Sequence, residues 1–467
     1  MYHTTQHRAH ARHVRKQQAR QRQASQRRKA RRNRERQAKR NLMFRLHTTI
    51  DHHFPDLYEK IEALPECRKQ PQYSLLEVIM AGIAMFLFKK GSRNAMNNER
   101  DEPQFRTNYE RLFHVRLPHL DTVEDVMEVL EPEHIETLKT ELVRGLLTKK
   151  ILRKYRSLGL SYLVVIDGTH VMDVHEGHCD HCLHQTFKHG KTRYFHNVLE
   201  AKLVGDNGFC LSLATEWIEN SDEYDKQDCE LTAFARLAKT LKQRYPRLNI
   251  CIVADGLYPN QTFFQICRDH GWSWIVTFRD GNLPSVWARV LQRQGLGHTR
   301  RREEDIRANG KLVHRSYEWH PRMSYHGVIV HWFACQESVA PIRSTRFVYL
   351  SSREMDCYSV LELTEDGRLR WKIENEGFDI QKHHGYGLGH QFSRSSMRAM
   401  KNYYQLLQIA HLFNQLFELG SLLTDVRRTK ESLEHIWECL TGEIRHEVLD
   451  MAVLAIMHAR RIRIRYD

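Results

Sequence analysis

The sequence predicts an α/β protein in which helices flank a mixed β-sheet, with a helical domain before the sheet and a strand-rich insertion within it. Two observations lead to this prediction. Residues 47–150 have helical periodicity, whereas apolar runs of strand length alternate with amphipathic helices after residue 158. With 467 residues, of which 41% are hydrophobic, the chain can form several folded units, each with its own core.

The first segment, residues 1–46, is a basic arm. It holds 16 of the 72 Lys and Arg residues but only one of the 57 acidic residues, Glu35, so the rest of the chain has 56 residues of each sign. Such a block repels itself when alone, and a polyanion would neutralise it. Its high Arg content favours a flexible arm that binds DNA, and a solvated tail is the alternative.

Residues 47–150 predict a helical domain. Tyr73–Lys90 is too densely apolar for a surface helix and indicates a buried one. Thr122–Leu130 and Pro132–Lys149 are two further helices, the second with proline at its first position. This domain either binds DNA in the manner of a helix-turn-helix protein or serves as a packing domain.

Residues 158–279 predict the first part of the α/β unit. Tyr162–Ile166 is a continuous apolar run, typical of a strand that is buried on both faces and stops at Asp167-Gly168. Phe195–Val204 and Phe209–Ile218 are joined by Gly-Asp-Asn-Gly, which predicts an antiparallel hairpin. The chain then predicts a helix, a strand, a helix and a strand, at Asp225–Arg244, Asn249–Ala254, Gln261–His270 and Ser273–Phe278.

Residues 280–363 predict the strand-rich insertion. Its alternating segments are Val313–Trp319, Gly327–Ala334 and Arg346–Leu350. Helical periodicity returns at Leu369, so residues 364–467 are expected to complete the α/β unit and to add C-terminal helices.

Ten cysteines in a chain of this length do not indicate a disulfide framework, but one pair stands out. Cys179 and Cys182 form a C-x2-C step among five histidines, at positions 175, 178, 181, 184 and 189. These are ligands that tetrahedral Zn²⁺ prefers. The pattern predicts either a structural zinc site that includes Cys179 and Cys182 or ordinary reduced thiols, since a second cysteine pair is missing downstream.

Three acidic residues form the candidate chemical site. Asp167 and Asp255 each follow an apolar strand and precede glycine, so adjacent parallel strands would place both carboxylates at one sheet edge; a simple turn is the alternative. On a helix, Arg370, Glu374 and Lys382 follow one i, i+4 row. This row is either a surface salt-bridge ladder or a site in which Glu374 completes a Mg²⁺ or Mn²⁺ site and the two cations hold phosphates.

Three sequence blocks resemble the DDE transposases of bacterial insertion sequences, particularly the type-four insertion-sequence family. The blocks are VVIDGTH at Asp167, IVADGLYPNQ at Asp255 and RWKIENEGFDIQKHHGYGLGH around Glu374, and the resemblance covers roughly residues 70–420. It implies a ribonuclease-H-like catalytic core whose Asp167, Asp255 and Glu374 bind two Mg²⁺ or Mn²⁺ ions. The implied reaction is cleavage and strand transfer of DNA by a cut-and-paste route.

The third block departs from the family pattern at two positions. That pattern is Tyr, two residues, Arg, three residues, Glu, six residues and Lys. Arg370 and Glu374 match it, Gly367 stands at the Tyr position, and Lys382 lies one residue late. The resemblance assigns DNA binding to Arg370 and Lys382.

The resemblance also implies partners and a location. DNA, both element ends and target, is the expected partner, with a homodimer in the synaptic complex and a place at the nucleoid in the bacterial cytoplasm. A membrane partner is not expected, because the longest apolar stretch, Leu75–Phe88, is shorter than a bilayer span and contains Glu77.

Two other functions compete with this one. Phosphotransferases with an aspartate nucleophile usually carry a second Asp two residues away, whereas Val165 and Thr169 flank Asp167 here. The remaining alternative is a non-catalytic DNA-binding protein derived from a transposase, which a cleavage assay with Mg²⁺ would distinguish.

Overall fold

The structure, a computed structural model, describes most of the chain. The described residues are 23, 25, 26, 28, 29, 41–174, 180–220, 227–308, 310–339, 343–394, 396–427, 431–458 and 463–466. They form two compact units. The sheet unit comprises Asp56–Asn97 and Pro118–Gln415, and the helical unit comprises the described parts of Met1–Pro55, Asn98–Leu117 and Leu416–Asp467.

Within the described residues, eleven strands form one mixed β-sheet in the sheet unit. They are β1 (Arg156–Ser157), β2 (Ser161–Val174), β3 (Leu183–Thr186), β4 (Thr192–Val204), β5 (Cys210–Ile218), β6 (Ile250–Ala254), β7 (Ser273–Thr277), β8 (Arg300–Ala308), β9 (Lys311–Tyr325), β10 (Val328–Val339) and β11 (Arg343–Ser351). Their order is β3-β4-β2-β6-β7-β11-β10-β9-β8, with β1 beside β2 and β5 beside β4. Helices flank this sheet, so the predicted α/β class with a mixed sheet is confirmed.

Two of the predicted apolar runs form the parallel part of the sheet. All five residues of β6 are buried, as are Leu163–Ile166 of β2, because both faces of these strands are covered. β2 and β6 pair in parallel from Tyr162 opposite Ile250 to Val165 opposite Val253, and β7 adds a third parallel strand. The condition under which Asp167 and Asp255 would come to one sheet edge, adjacent and parallel strands, is therefore met.

The predicted hairpin is formed by β4 and β5. Its strands pair antiparallel from Asn197 opposite Ile218 to Val204 opposite Cys210. The turn is closed by the amide of Gly205, which donates to the carbonyl of Phe209 at 2.9 Å. Gly208 has a φ of 105°, a conformation that residues other than glycine rarely adopt, so the Gly-Asp-Asn-Gly sequence explains the turn.

The strand-rich insertion extends the same sheet. β11 pairs antiparallel with β7, with Tyr349 opposite Thr277, and β10, β9 and β8 follow in antiparallel order. The insertion strands are longer than the alternating segments predicted from sequence, because the ladder of β10 and β11 continues through polar residues, with Glu337 opposite Thr345 and Ser338 opposite Ser344.

The helices of the sheet unit come before, between and after these strands in the chain. They are Leu57–Glu62, Leu75–Leu87, Leu120–Val129, Pro132–Thr148, Glu230–Arg244, Gln261–Asp269, Pro284–Gly295, Ser359–Arg368, Ile380–His383 and, up to Gln415, Met397–Leu419, with a 3-10 turn at Arg153–Tyr155 and a π-helical segment at Ile373–Asp379. Every residue of Leu75–Leu87 is buried, and its first turn has a capping box of Ser74 and Glu77. This prediction is confirmed, whereas helical structure before the third block begins at Ser359, earlier than predicted.

The helical unit is built from segments distant in sequence. Its helices are Leu42–His53, the end of Arg93–Asp101, Pro103–Phe113, Thr424–Arg427, Leu433–His446 and Met451–His458, with a 3-10 turn at Ser421–Leu423. The side-chain amide of Asn108 donates to the carbonyls of Ile444 and Glu447 at 2.8 and 2.7 Å. The helix Leu42–His53 begins inside the range assigned to the basic arm, most of which lies outside the described residues.

The longest helix of the described residues carries polar side chains along its length. Met397–Leu419 has 23 residues, but Asn402, Gln408, His411 and Asn414 place buried polar groups along it. In the described part of the chain, no helix is both long enough and apolar enough to cross a bilayer.

Candidate active site

The register of β2 and β6 brings Asp167 and Asp255 to the same edge of the sheet. The last paired residues are Val165 and Val253, and each aspartate lies two residues beyond its own paired valine. The prediction that β2 stops at Asp167 is wrong. β2 continues to Val174 because β4 keeps pairing with it after β6 has ended, with Asp167 opposite Glu200.

Arg370 connects Asp167 with Glu374. Its Nη1 donates to Glu374 Oε1 at 2.9 Å and lies 3.5 Å from Asp167 Oδ2. The side chain of Arg370 is only 8% exposed, whereas that of Glu374 is 41% exposed, so the pair extends from the protein interior to the surface. The nearby acid Glu376 instead pairs with Lys372 at 2.5 Å, so Glu374 is the acid of this helix that faces Asp167.

Lys382 also reaches this site, although it lies one residue late in the family pattern. Its Nζ donates to the hydroxyl of Thr169, two residues beyond Asp167, at 2.8 Å. An α-helix turns about 100° per residue, so eight residues would leave Lys382 about 80° away from Glu374. The π-helical segment Ile373–Asp379 takes up one additional residue and reduces this angle to about 20°. The two side chains therefore share one face of the helix.

Asp255 has a different basic neighbour. Arg279, which follows β7, places its Nη2 3.2 Å from Asp255 Oδ2 and is 63% exposed. Its side chain crosses Gly256, where a Cβ atom would lie 2.8 Å from Arg279 Cδ. Asp255 Oδ1 accepts from the amide of Leu257 at 2.8 Å, which fixes the carboxylate at the strand end.

Several carboxylates come together at the site, and burial partly shields them from solvent. Burial raises the pKa of Asp167 to about 7; Arg370 opposes this effect, whereas Glu374, Glu230 and Asp255 add to it. Burial also lowers the pKa of Lys382. The four carboxylates of the cluster therefore outnumber its three basic residues, Arg370, Lys382 and Arg279.

The oxygen donors of Asp167, Asp255 and Glu374 suit hard divalent ions such as Mg²⁺ or Mn²⁺, which favour carboxylates and retain water ligands. Burial and the neighbouring carboxylates raise the pKa of Asp167, and the positive charge of a bound metal ion would counteract both effects. In the part of the chain that the structure describes, no three Asp, Glu, His or Cys side chains converge closely enough to hold an ion as they stand. Arg370 lies between Asp167 and Glu374 instead.

Sequence reasoning missed three residues of this site: Glu230, Arg279 and Thr169. Glu230 begins the helix Glu230–Arg244 and interacts electrostatically with Asp167 and Asp255. Its helix-starting position carries no motif, and only its proximity in the fold reveals it. Thr169, in contrast, belongs to the block that contains Asp167, and its position beside the aspartate was a usable signal.

The predicted zinc ligands are only partly visible. Cys179 lies outside the described residues, as do His175 and His178. Cys182 is buried, and its Sγ lies 3.2 Å from Nε2 of His196, a residue of β4 that was not among the predicted histidines. The structure thus places one predicted cysteine beside an imidazole that the spacing of the motif could not indicate.

No protein-family model matches this chain. A search of curated proteins finds no significant match either.

Proposed function

We propose that this protein is a DDE-type transposase, which binds the ends of a mobile element and cleaves and transfers DNA strands with the help of Mg²⁺ or Mn²⁺. The observation that carries the proposal is the arrangement of Asp167, Asp255 and Glu374 at one sheet edge, with Arg370 and Lys382 beside them. These residues come from three distant segments, and a surface ladder or an ordinary turn would not require them to meet.

The topology of the sheet supports the same proposal. The strands β5-β4-β2 are antiparallel, and β6 and β7 continue from β2 in parallel. We assign these five strands and their helices to a ribonuclease-H-like core, with β8 to β11 as the insertion before the third block. The proposed chemistry lies where the parallel pairing of β2 and β6 ends, just beyond Val165 and Val253.

In this proposal, Asp167, Asp255 and Glu374 hold the divalent ions. When bound, the ions would activate the attacking water or 3′-hydroxyl and stabilise the leaving-group oxygen of the cleaved phosphodiester. Arg370 and Lys382 provide positive charge for the phosphate of the bound strand, because both are desolvated and point to the acidic cluster. Thr169 orients Lys382 through its hydroxyl.

The same proposal covers the partners. Residues 1–46 would add DNA affinity without reading bases, since their excess of Arg and Lys neutralises phosphates. Element ends and target DNA are the substrates, and two copies of the chain would hold two ends together. We place the protein at the nucleoid in the bacterial cytoplasm.

The test is cleavage of a plasmid that carries the DNA flanking the gene. Wild-type protein with Mg²⁺ or Mn²⁺ is expected to cut at the element ends. Asp255→Ala should abolish cleavage and keep end binding, whereas Glu376→Ala, a change of the nearby acid that pairs with Lys372, should still cut. Cleavage by Asp255→Ala at the wild-type rate would refute the assignment. Binding without any cleavage by the wild type would favour the non-catalytic DNA-binding alternative.

A further inference from the structure

Glu230 packs directly on the backbone beside Asp167. A Cβ atom at Gly168 would lie 2.6 Å from Glu230 Cδ and closer still to Glu230 Oε1. No side chain fits between them, so the Gly of the Asp-Gly pair leaves room for a carboxylate. Glu230 thereby reaches the same edge of β2 as Asp167, although it belongs to the helix Glu230–Arg244.

The other carboxylate oxygen of Glu230 contacts the segment that carries Asp255. The hydroxyl of Tyr258 donates to Glu230 Oε2 at 3.4 Å. Tyr258 is fully buried, and its amide donates to the carbonyl of Asp255 at 3.3 Å. Glu230 therefore contacts both the part of β2 that carries Asp167 and the segment after β6 that carries Asp255.

This carboxylate lacks a cation to balance it. Within the described residues, no Lys, Arg or His forms an ion pair with Glu230, and its electrostatic neighbours include Asp167 and Asp255. The amino end of its helix offers only partial positive charge. A half-buried carboxylate among other carboxylates is costly unless a cation joins the cluster.

We propose that Glu230 is a fourth carboxylate of the divalent-metal site, acting with Asp167 and Asp255. This inference rests on the proposed function, because it assigns another ligand to the same ions. The side chain supplies hard oxygen donors, and its packing on Gly168 holds it at the site before any ion arrives. A purely structural role at the helix start is the competing explanation.

Mn²⁺ binding to the full-length protein without DNA tests the inference. The electron paramagnetic resonance signal of free Mn²⁺ gives the affinity of wild type, Glu230→Gln, Glu230→Asp and Asp167→Asn. Glu230→Gln keeps the shape and the acceptor for Tyr258 but removes the charge, so we expect about tenfold weaker binding. Glu230→Asp keeps the charge and should recover part of the loss. In EDTA, the melting temperature of Glu230→Gln should not lie below that of the wild type, because the substitution removes repulsion between Glu230 and the carboxylates of Asp167 and Asp255.

Glu216→Gln is the matched control. Glu216 is another half-buried carboxylate, but it pairs with Arg236 away from the cluster, so Mn²⁺ binding should stay at the wild-type level. If Glu230→Gln binds Mn²⁺ as the wild type does while Asp167→Asn is impaired, Glu230 is structural and this inference is overturned, although the proposed metal site stands. If the wild type itself binds no Mn²⁺, the metal site and this inference both fail.

Discussion

The Lys382 ammonium and the Thr169 hydroxyl form a hydrogen bond of 2.8 Å that joins the third sequence block to β2. This contact depends on the π-helical segment Ile373–Asp379, which absorbs the residue by which Lys382 is late in the family pattern. The π-helical segment therefore offsets the rotation that the additional residue would otherwise give to Lys382. Such segments are rare in proteins and often mark functional sites.

Removing that residue should therefore be tolerated. Deletion of Asn375, which is exposed in the π-helical segment, is expected to give a regular α-helix that keeps Lys382 on the face of Glu374 and retains cleavage. Insertion of an alanine after Asn375 should turn Lys382 by about 100° and reduce cleavage to the level of Lys382→Ala. Cleavage rates of the three variants at equal melting temperature provide the measurement. Equal loss in the deletion and the insertion would contradict the compensation.

The sequence predicted the site best where an acidic residue directly follows an apolar run. Asp167 and Asp255 could be paired because an apolar run followed by Asp-Gly is visible in sequence, and the parallel register then places them together. Glu230 could not be predicted, because its contact with Gly168 depends on how the helix Glu230–Arg244 packs. Such long-range packing has no local signal.

The ends of strands and the type of helical turn were also harder to predict than the buried apolar runs. The run Tyr162–Ile166 marked the buried part of β2, but the strand continues through polar residues to Val174 because β4 supplies its hydrogen bonds. A polar extension paired on one side looks like a loop in sequence. The π-helical segment was equally hidden, since helical periodicity assumes a constant turn per residue.

The acidic cluster should make metal-free stability depend on pH. Because burial and neighbouring acids raise the pKa of Asp167 to about 7, its contribution is most favourable below the unfolded-state pKa near 4 and is lost as the pH rises to 7. Asp167→Asn removes this penalty, so in EDTA it should be more stable than the wild type at pH 8 by roughly 1 to 3 kcal/mol and gain little at pH 4.5. Thermal unfolding at both pH values provides the check, and an equal difference at both would contradict the prediction. Mg²⁺ at pH 8 should stabilise only the wild type.

The basic arm should determine the salt dependence of DNA binding. Because a helix begins at Leu42, the suitable truncation removes residues 1–40, which contain 15 of the 16 basic residues of the arm. For each phosphate that the arm neutralises in duplex DNA, the truncation should reduce the slope of log K against log salt by about 0.9. Binding of full-length and truncated protein to an element end and to unrelated DNA at several salt concentrations measures this slope. Preference for the end should persist, and an unchanged slope would show that the arm does not contact DNA.

Cys182 should be part of a closed structural zinc site together with Cys179 and two histidines. Its Sγ already lies 3.2 Å from His196 Nε2, a separation compatible with both atoms binding one ion at roughly 2.3 and 2.0 Å. Burial of Cys182 and His196 excludes water, as a structural rather than catalytic zinc requires.

Elemental analysis of protein purified without added metal is expected to give about one zinc per chain, and Cys179→Ser/Cys182→Ser should lose it and melt at a lower temperature. Cys267→Ser, a change of a buried cysteine in the helix Gln261–Asp269, should keep the zinc. If wild type and double variant contain equally little zinc, these residues are reduced thiols, and the contact between Cys182 and His196 is a simple hydrogen bond in the core.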